Sequence, residues 1–137
     1  MSYLADTSFL LAVFSRTDKN HRAARSFYVA NQEPVLFPSP ALTELSFHFR
    51  RMKGGAREVE GLRALFETDI EIIDLISTDR FRVVTILENY RDIRIDFVDA
   101  CVMALAERLN ITAILTYDRR DFGLYRPAHC EFFDLLP

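Results

Sequence analysis

The sequence predicts one α/β domain over residues 1–137, with a mainly parallel central sheet of four to five strands covered by helices on both faces. Three observations carry this expectation. Short apolar runs of strand length alternate with helical periodicities along the chain, and strands that alternate with helices favour a parallel sheet with right-handed crossovers. Half of the residues are hydrophobic, twelve are Phe and 27% are charged, which is the composition of a folded chain rather than a disordered one. At 137 residues there is room for one substantial core and no second domain is expected.

The elements follow in order. Residues 3–5 form a short apolar strand ending at Asp6, and Thr7 or Ser8 caps a helix running through Phe9, Leu10, Val13 and Phe14. A polar break at 17–20 precedes a second helix over 21–30, with Ala24, Phe27 and Tyr28 inward. Residues 34–37 are the second strand. Ser39 as N-cap and Pro40 as first helical residue then open a helix whose apolar stripe is Leu42, Leu45 and Phe49, with Glu44 in its second turn. Gly54 and Gly55 break the helical pattern inside the basic segment 50–57, and Val59, Leu62, Leu65 and Phe66 resume it. Residues 70–75 form a third strand, and a helix from Ser77 or Thr78 carries Phe81, Val84 and Leu87 on one face. Asp96 and Asp99 open an alanine-rich amphipathic helix, residues 111–115 form the fourth strand, and Thr116, Asp118 and Asp121 lie in an acidic turn directly after it. Residues 131–135 close the sheet.

Several function classes recede on composition. The apolar runs are too short to span a bilayer, and the start MSYLADTSF lacks the basic and apolar regions of a signal peptide, so a cytoplasmic location is expected. Cys101 and Cys130 are far apart and form no C-x-x-C or Cys/His ligand pattern; both are expected to be reduced and inert. A net charge of −3 gives no overall basic footprint, so any polyanion must meet a local basic surface.

The chemistry lies in the acids. In open α/β sheets ligands bind outside the carboxyl ends of the strands, where Asp6 after strand one, Glu44 in the helix after strand two, and Asp99 and Asp118 around strand four can converge. Crowded carboxylates raise one another's pKa, and such a cluster normally persists because a cation neutralises it. Hard oxygen donors without Cys or paired His favour Mg²⁺ or Mn²⁺ over zinc, and Mg²⁺ leaves coordination positions for water and phosphate oxygens. That set suits metal-assisted phosphodiester hydrolysis.

Four sequence pieces resemble a known family. They are A-D-T-S at residues 5–8, T-E-L at 43–45, D-A-x-x-x-A-L-A-E-R-L at 99–109 and T-x-D-R-R-D-F at 116–122. In this order and spacing the chain resembles the PIN-domain ribonucleases, and more narrowly the VapC toxins of toxin–antitoxin pairs; the ending R-P-x-H with L-L-P is similar to one subgroup. The resemblance implies a PIN-like three-layer α/β/α fold. It implies that Asp6, Glu44, Asp99 and Asp118 bind one or two Mg²⁺ or Mn²⁺ ions that activate water against RNA, with Ser8 or Thr116 positioning ligands or water. A homodimer and a VapB-type antitoxin lying across the active-site groove are implied as well.

Each residue also has an ordinary structural reading. Asp6 can cap the first helix, although Thr7 and Ser8 already offer caps, and Glu44 alone would read as an exposed helix acid. Asp99 lies at capping-box distance from Asp96, which is taken as a structural N-cap, and Asp121 is taken as a turn residue. His21, His48 and His129 have no nucleophile pattern nearby and form no triad. Cys101 and Met103 read as helix core. Arg16, Lys19, Arg22, Arg50, Arg51 and Lys53 read as solvated surface, whereas Arg119 and Arg120 adjoin Asp118 and are the expected phosphate contacts.

Two rival functions are a phosphotransfer domain and a non-catalytic RNA-binding or interaction module. A dehalogenase-like phosphatase needs a second Asp two residues after the first, where this chain has Ser8; a receiver domain needs a late Lys, and none lies beyond Lys53. Intact acids disfavour the non-catalytic module. Phe9, Phe14, Phe27, Tyr28, Phe47 and Phe49 exceed what the early helices need for one sheet face, so some are expected on the surface as a partner site.

Overall fold

The computed structural model describes residues 1–52 and 57–137. The helix break expected at Gly54 and Gly55, and Lys53 beside it, lie outside the described residues. The elements are β1 (Tyr3–Ala5), α1 (Thr7–Phe14), α2 (His21–Ala30), β2 (Val35–Pro38), α3 (Ser39–Arg51), α4 (Arg57–Phe66), β3 (Glu71–Ile73), α5 (Ser77–Asn89), a 3-10 turn (Arg91–Ile93), α6 (Phe97–Leu109), β4 (Ala113–Leu115), α7 (Arg119–Leu124) and β5 (Asp134–Leu136). The five strands make one all-parallel sheet in the order β3-β2-β1-β4-β5. The strands are shorter than the apolar runs that signalled them, and β5 lies towards the end of its run.

Period-two alternation sorts the strand residues onto two faces. Leu4, Leu36 and Ile114 join a core with Val83 and Ile86 of α5, residues 100–106 of α6, and Phe122 of α7. Ala5, Val35, Phe37 and Leu115 face the other way, into a core with Phe9, Leu10 and Val13 of α1, Ala24 of α2, Leu45 and Phe49 of α3 and Leu65 of α4. The result is three layers, α/β/α. Residues 99–106 of α6 are buried without interruption, so this part of the helix is covered on all sides and not on the one face its amphipathic pattern suggests. The helix closes at Asn110, whose φ of 55° is the left-handed cap conformation that Asn tolerates.

Three local expectations are corrected. The helix after β2 begins at Ser39 with Pro38 as N-cap, because Pro38 is still paired to Ile73 in the sheet and no linker separates strand from helix; Ser39 makes no capping bond. Helix α5 buries Asp79, Val83 and Ile86, while Phe81 is 73% and Val84 59% exposed, so its inward stripe is displaced from the one expected. The reason is polar: Asp79 is gripped by Arg108 Nε at 2.9 Å and accepts from the Ile76 N–H at 3.0 Å, and Arg82 pairs with Glu107 at 2.7 Å, which fixes the rotation of α5 on α6. In α4, Val59 and Phe66 are exposed, and Leu65 is its buried residue.

The early aromatics are mostly consumed within the chain. Phe9 and Phe49 are fully buried, Phe14, Phe27 and Tyr28 are partly buried, and Phe47 alone of the six is exposed. Edge-to-face pairs link Phe9 to Phe27 and Phe14 to Phe49. Both cysteines are free thiols. Among the described residues no helix is long and apolar enough to cross a membrane.

Candidate active site

Strand order places the site. β1 and β4 pair in register, Ala5 opposite Leu115, so Asp6 and Thr116 leave the sheet side by side at its carboxyl edge. Asp6 stays locked to the sheet through its N–H on the Leu115 carbonyl at 3.0 Å. Its side chain caps α1: Oδ1 accepts from the Phe9 N–H at 3.0 Å and from the Ser8 hydroxyl at 2.7 Å, and Oδ2 accepts from the Thr116 hydroxyl at 2.5 Å. Asp6 is therefore the cap that the sequence reading assigned to Thr7 or Ser8. Capping alone does not exclude a site role here, because one carboxylate has lone pairs for both.

Ser8 and Thr116 form a relay around that carboxylate. The Ser8 hydroxyl accepts from the Tyr117 N–H at 2.9 Å, and the Thr116 hydroxyl accepts from the Asp118 N–H at 2.9 Å. Each hydroxyl thus spends its proton on Asp6 and takes one from the turn after β4. The turn carrying Asp118 is tied to Asp6 without any direct carboxylate contact.

A cleft of about 320 Å³ at this edge is lined by Asp6, Thr7, Ser8, Leu11, Glu44, His48, Asp96, Asp99 and Asp118. All four predicted acids converge there. Helix α3 delivers Glu44 and, one turn on, His48; the first turn of α6 delivers Asp99. Asp96 is the N-cap of α6, accepting from the Val98 N–H at 3.1 Å, and it also borders the cleft. We expect Asp96→Ser to be nearly neutral for stability and Asp96→Ala to cost ~1 kcal/mol in a melting experiment, both keeping activity. Lost activity in a folded Asp96→Ser protein would move Asp96 into the working set.

Electrostatics mark two of the acids. Burial pushes Asp99 up to about 8, reinforced by the charges of Asp6, Asp96, Asp118 and Asp121. Asp6 is pushed up to about 6 by burial, with the Thr116, Ser8 and Phe9 donors opposing the rise and the Asp118 charge adding to it. Asp99 has no hydrogen-bond partner among the described residues. No Lys or Arg among the described residues lines the cleft to compensate these charges.

The donor set fits a hard divalent cation: four carboxylates, the hydroxyl of Ser8, and the Thr7 hydroxyl, buried and without a partner. Among the described residues no three acidic, His or Cys side chains close tightly enough to enclose an ion by themselves. A Mg²⁺ or Mn²⁺ ion held there would therefore keep part of its shell as water or substrate oxygens.

Other predicted residues lie outside the cleft. Arg119 donates to the Pro137 carbonyl, and Arg120 reaches Asp121 at 3.5 Å with most of its side chain exposed. Neither lines the cavity, although both begin α7 directly after Asp118. Asp121 belongs to the first turn of α7 and is buried, rather than sitting in an open turn. His21 and His129 bond the carbonyls of Ala12 and Ile111 at 2.7 Å each, a structural use. His48 and Thr7 are cleft residues the sequence reading did not single out. Spacing offered a signal for His48, because four residues after Glu44 is the same helix face.

Fold and cleft together define a parallel α/β domain with a carboxylate-lined site at the carboxyl edge of its sheet. The chain belongs to the PIN domain family, whose profile matches residues 3–128. It is 28% identical to Ribonuclease VapC26 of Mycobacterium tuberculosis over 134 residues, 98% of this chain and 99% of that protein. Its fold is similar to that of Mycobacterium tuberculosis VapC20, described as a sarcin–ricin loop cleaving toxin, with a TM-score of 0.78 and 19% identity, covering 86% of this chain and 91% of that one. It is also similar in fold to a chain of the VapBC2 complex of Rickettsia felis bound to a DNA fragment from its promoter, with a TM-score of 0.71 and 18% identity over 98% of this chain and 97% of that one.

Proposed function

We propose that this protein is a Mg²⁺- or Mn²⁺-dependent endoribonuclease, the toxin of a VapBC-type pair, working as a single domain over residues 1–137. The observation that carries the reading is the convergence of Asp6, Glu44, Asp99 and Asp118 on one cleft of a PIN domain, with no Lys or Arg among the described residues that line it. Similarity to Ribonuclease VapC26 supports RNA as the substrate. When bound, the cation supplies charge neutralisation at the phosphate and an acidified water.

The chain's own residues supply the rest. Asp6, Glu44, Asp99 and Asp118 would hold the cation, and the Ser8 and Thr116 hydroxyls keep the Asp6 carboxylate at a fixed angle. Asp99, without a hydrogen-bond partner among the described residues, would hold the cation in place of the proton that burial favours. Arg119 and Arg120, which begin α7 directly after Asp118, would receive flanking phosphates. The same family reading brings a VapB-type antitoxin, a homodimer and a cytoplasmic location.

The phosphotransfer rival finds no support at Ser8, whose hydroxyl is engaged with Asp6 and Tyr117. The test is direct. Purified protein is expected to cleave RNA with Mg²⁺ or Mn²⁺, to lose that activity in EDTA and to recover it on metal addition, with the melting temperature rising on Mn²⁺ binding. Full cleavage in EDTA, or no thermal response to either ion, would defeat the proposal.

A further inference from the structure

Among the described residues His48 is the one nitrogen-bearing side chain lining the cleft. Every other polar group there is a carboxylate or a hydroxyl, yet an RNA strand entering the cleft brings phosphate oxygens that need N–H donors. An imidazole carries at least one N–H in either charge state. The ring is exposed and has no hydrogen-bond partner among the described residues, whereas His21 and His129 are each spent on a backbone carbonyl. Its neighbours extend the same surface. Phe47 is 53% exposed, with the His48 ring edge-on at 6.0 Å and the Arg51 guanidinium 5.5 Å from its centroid. An exposed aromatic flanked by a guanidinium and an imidazole, next to a phosphodiester site, has the makings of a single-strand contact: a π-face for a base and donors for the backbone.

Resting on the ribonuclease reading above, we propose that His48 is a substrate-binding residue, donating to a phosphate of the bound RNA strand, with Phe47 and Arg51 forming the adjoining contact along α3. The contact is separate from cation binding. Helix α3 therefore carries both functions on neighbouring positions, Glu44 towards the ion and His48, one turn later, towards the strand.

The experiment compares the parent protein with His48→Ala, His48→Arg and Phe47→Ala. Cleavage of a labelled single-stranded RNA is followed in Mn²⁺, and binding of the same RNA is measured by anisotropy in an Asp118→Asn background. His48→Ala is expected to raise KM and the RNA dissociation constant roughly tenfold, the scale of one hydrogen bond to a charged group, with kcat changed far less. His48→Arg should restore binding, Phe47→Ala should weaken it, and the Mn²⁺-induced rise in melting temperature should be the same in all folded variants. Unchanged KM and RNA affinity in His48→Ala would overturn the assignment, as would loss of the Mn²⁺ response, which would make His48 a metal ligand. A parent protein that neither cleaves nor binds RNA would defeat the ribonuclease reading itself, whereas a failure confined to the His48 variants would leave that reading standing.

Discussion

Asp99→Asn is expected to abolish most cleavage while making the metal-free protein more stable. The carboxylate is buried, has no hydrogen-bond partner among the described residues and feels four neighbouring acids, so its ionised form destabilises the fold and its amide does not. Activity should fall by more than the roughly 10- to 100-fold seen when only an outer partner of a metal site is removed. The sign of the pH effect follows. Asp99 titrates at about 8 when folded and near the ordinary carboxylate value when unfolded, so the folded state holds the extra proton between them. Metal-free stability should therefore decline as pH rises from about 4 towards 8 and level off above that. The Asn variant should lose most of this slope, and Mn²⁺ should reverse it in the parent. Melting curves across that range, with and without Mn²⁺, decide the matter; a parent whose metal-free stability rises steadily from pH 5 to 8 would contradict it. Asp6→Asn is a poorer probe, since the amide replaces one of the two accepting oxygens with an NH₂ donor and so disrupts the three hydrogen bonds the carboxylate now receives.

The second large effect lies away from the cleft. Glu107 is nearly buried and accepts from Arg82 Nε at 2.7 Å, from the Tyr125 hydroxyl at 2.6 Å and from the Ala128 N–H at 2.8 Å, which ties α5, α6 and the segment after α7 together. Glu107→Ala leaves the Tyr125 hydroxyl with an Arg for a neighbour and no acceptor. Breaking a buried pair costs ~3–5 kcal/mol, but Arg82 is partly exposed and can turn to water, so a loss of about 2–3 kcal/mol is expected. Urea unfolding measures it. A loss under about 0.5 kcal/mol would show that the knot is ornamental to stability.

Glu107 also shows what was legible in the sequence and what was not. It stood in the D-A-x-x-x-A-L-A-E-R-L segment as part of a resemblance, with no physical role, because its three partners come from positions 82, 125 and 128. Strand and helix order could be read from local periodicity, as could the placement of Asp6, Glu44, Asp99 and Asp118 at strand ends and helix starts. The face of α5 could not: Phe81 and Val84 look inward by hydrophobicity, and ion pairs to α6 turn the helix the other way. Nor could the capping by Asp6, since capping and a site role were weighed as rivals although one carboxylate has enough lone pairs for both. His48 was passed over because a histidine was sought beside a nucleophile rather than beside a phosphate.

The central position of β1 governs when the site can exist during synthesis. Its first partner, β2, follows within some thirty residues, but Ala5 must wait for Leu115, and Asp6 for Thr116, before the carboxylate is gripped from both sides. At ribosomal rates of about 5–20 residues per second, Asp6 and Asp118 leave the ribosome roughly 6–20 seconds apart. Throughout that interval the nascent chain lacks its fourth strand, the turn bearing Asp118 and the hydroxyl of Thr116. On the ribonuclease reading proposed above, a chain with such distant pairing at its centre would be inert towards RNA until its fourth strand has paired, and an antitoxin would meet the cleft only once it is complete.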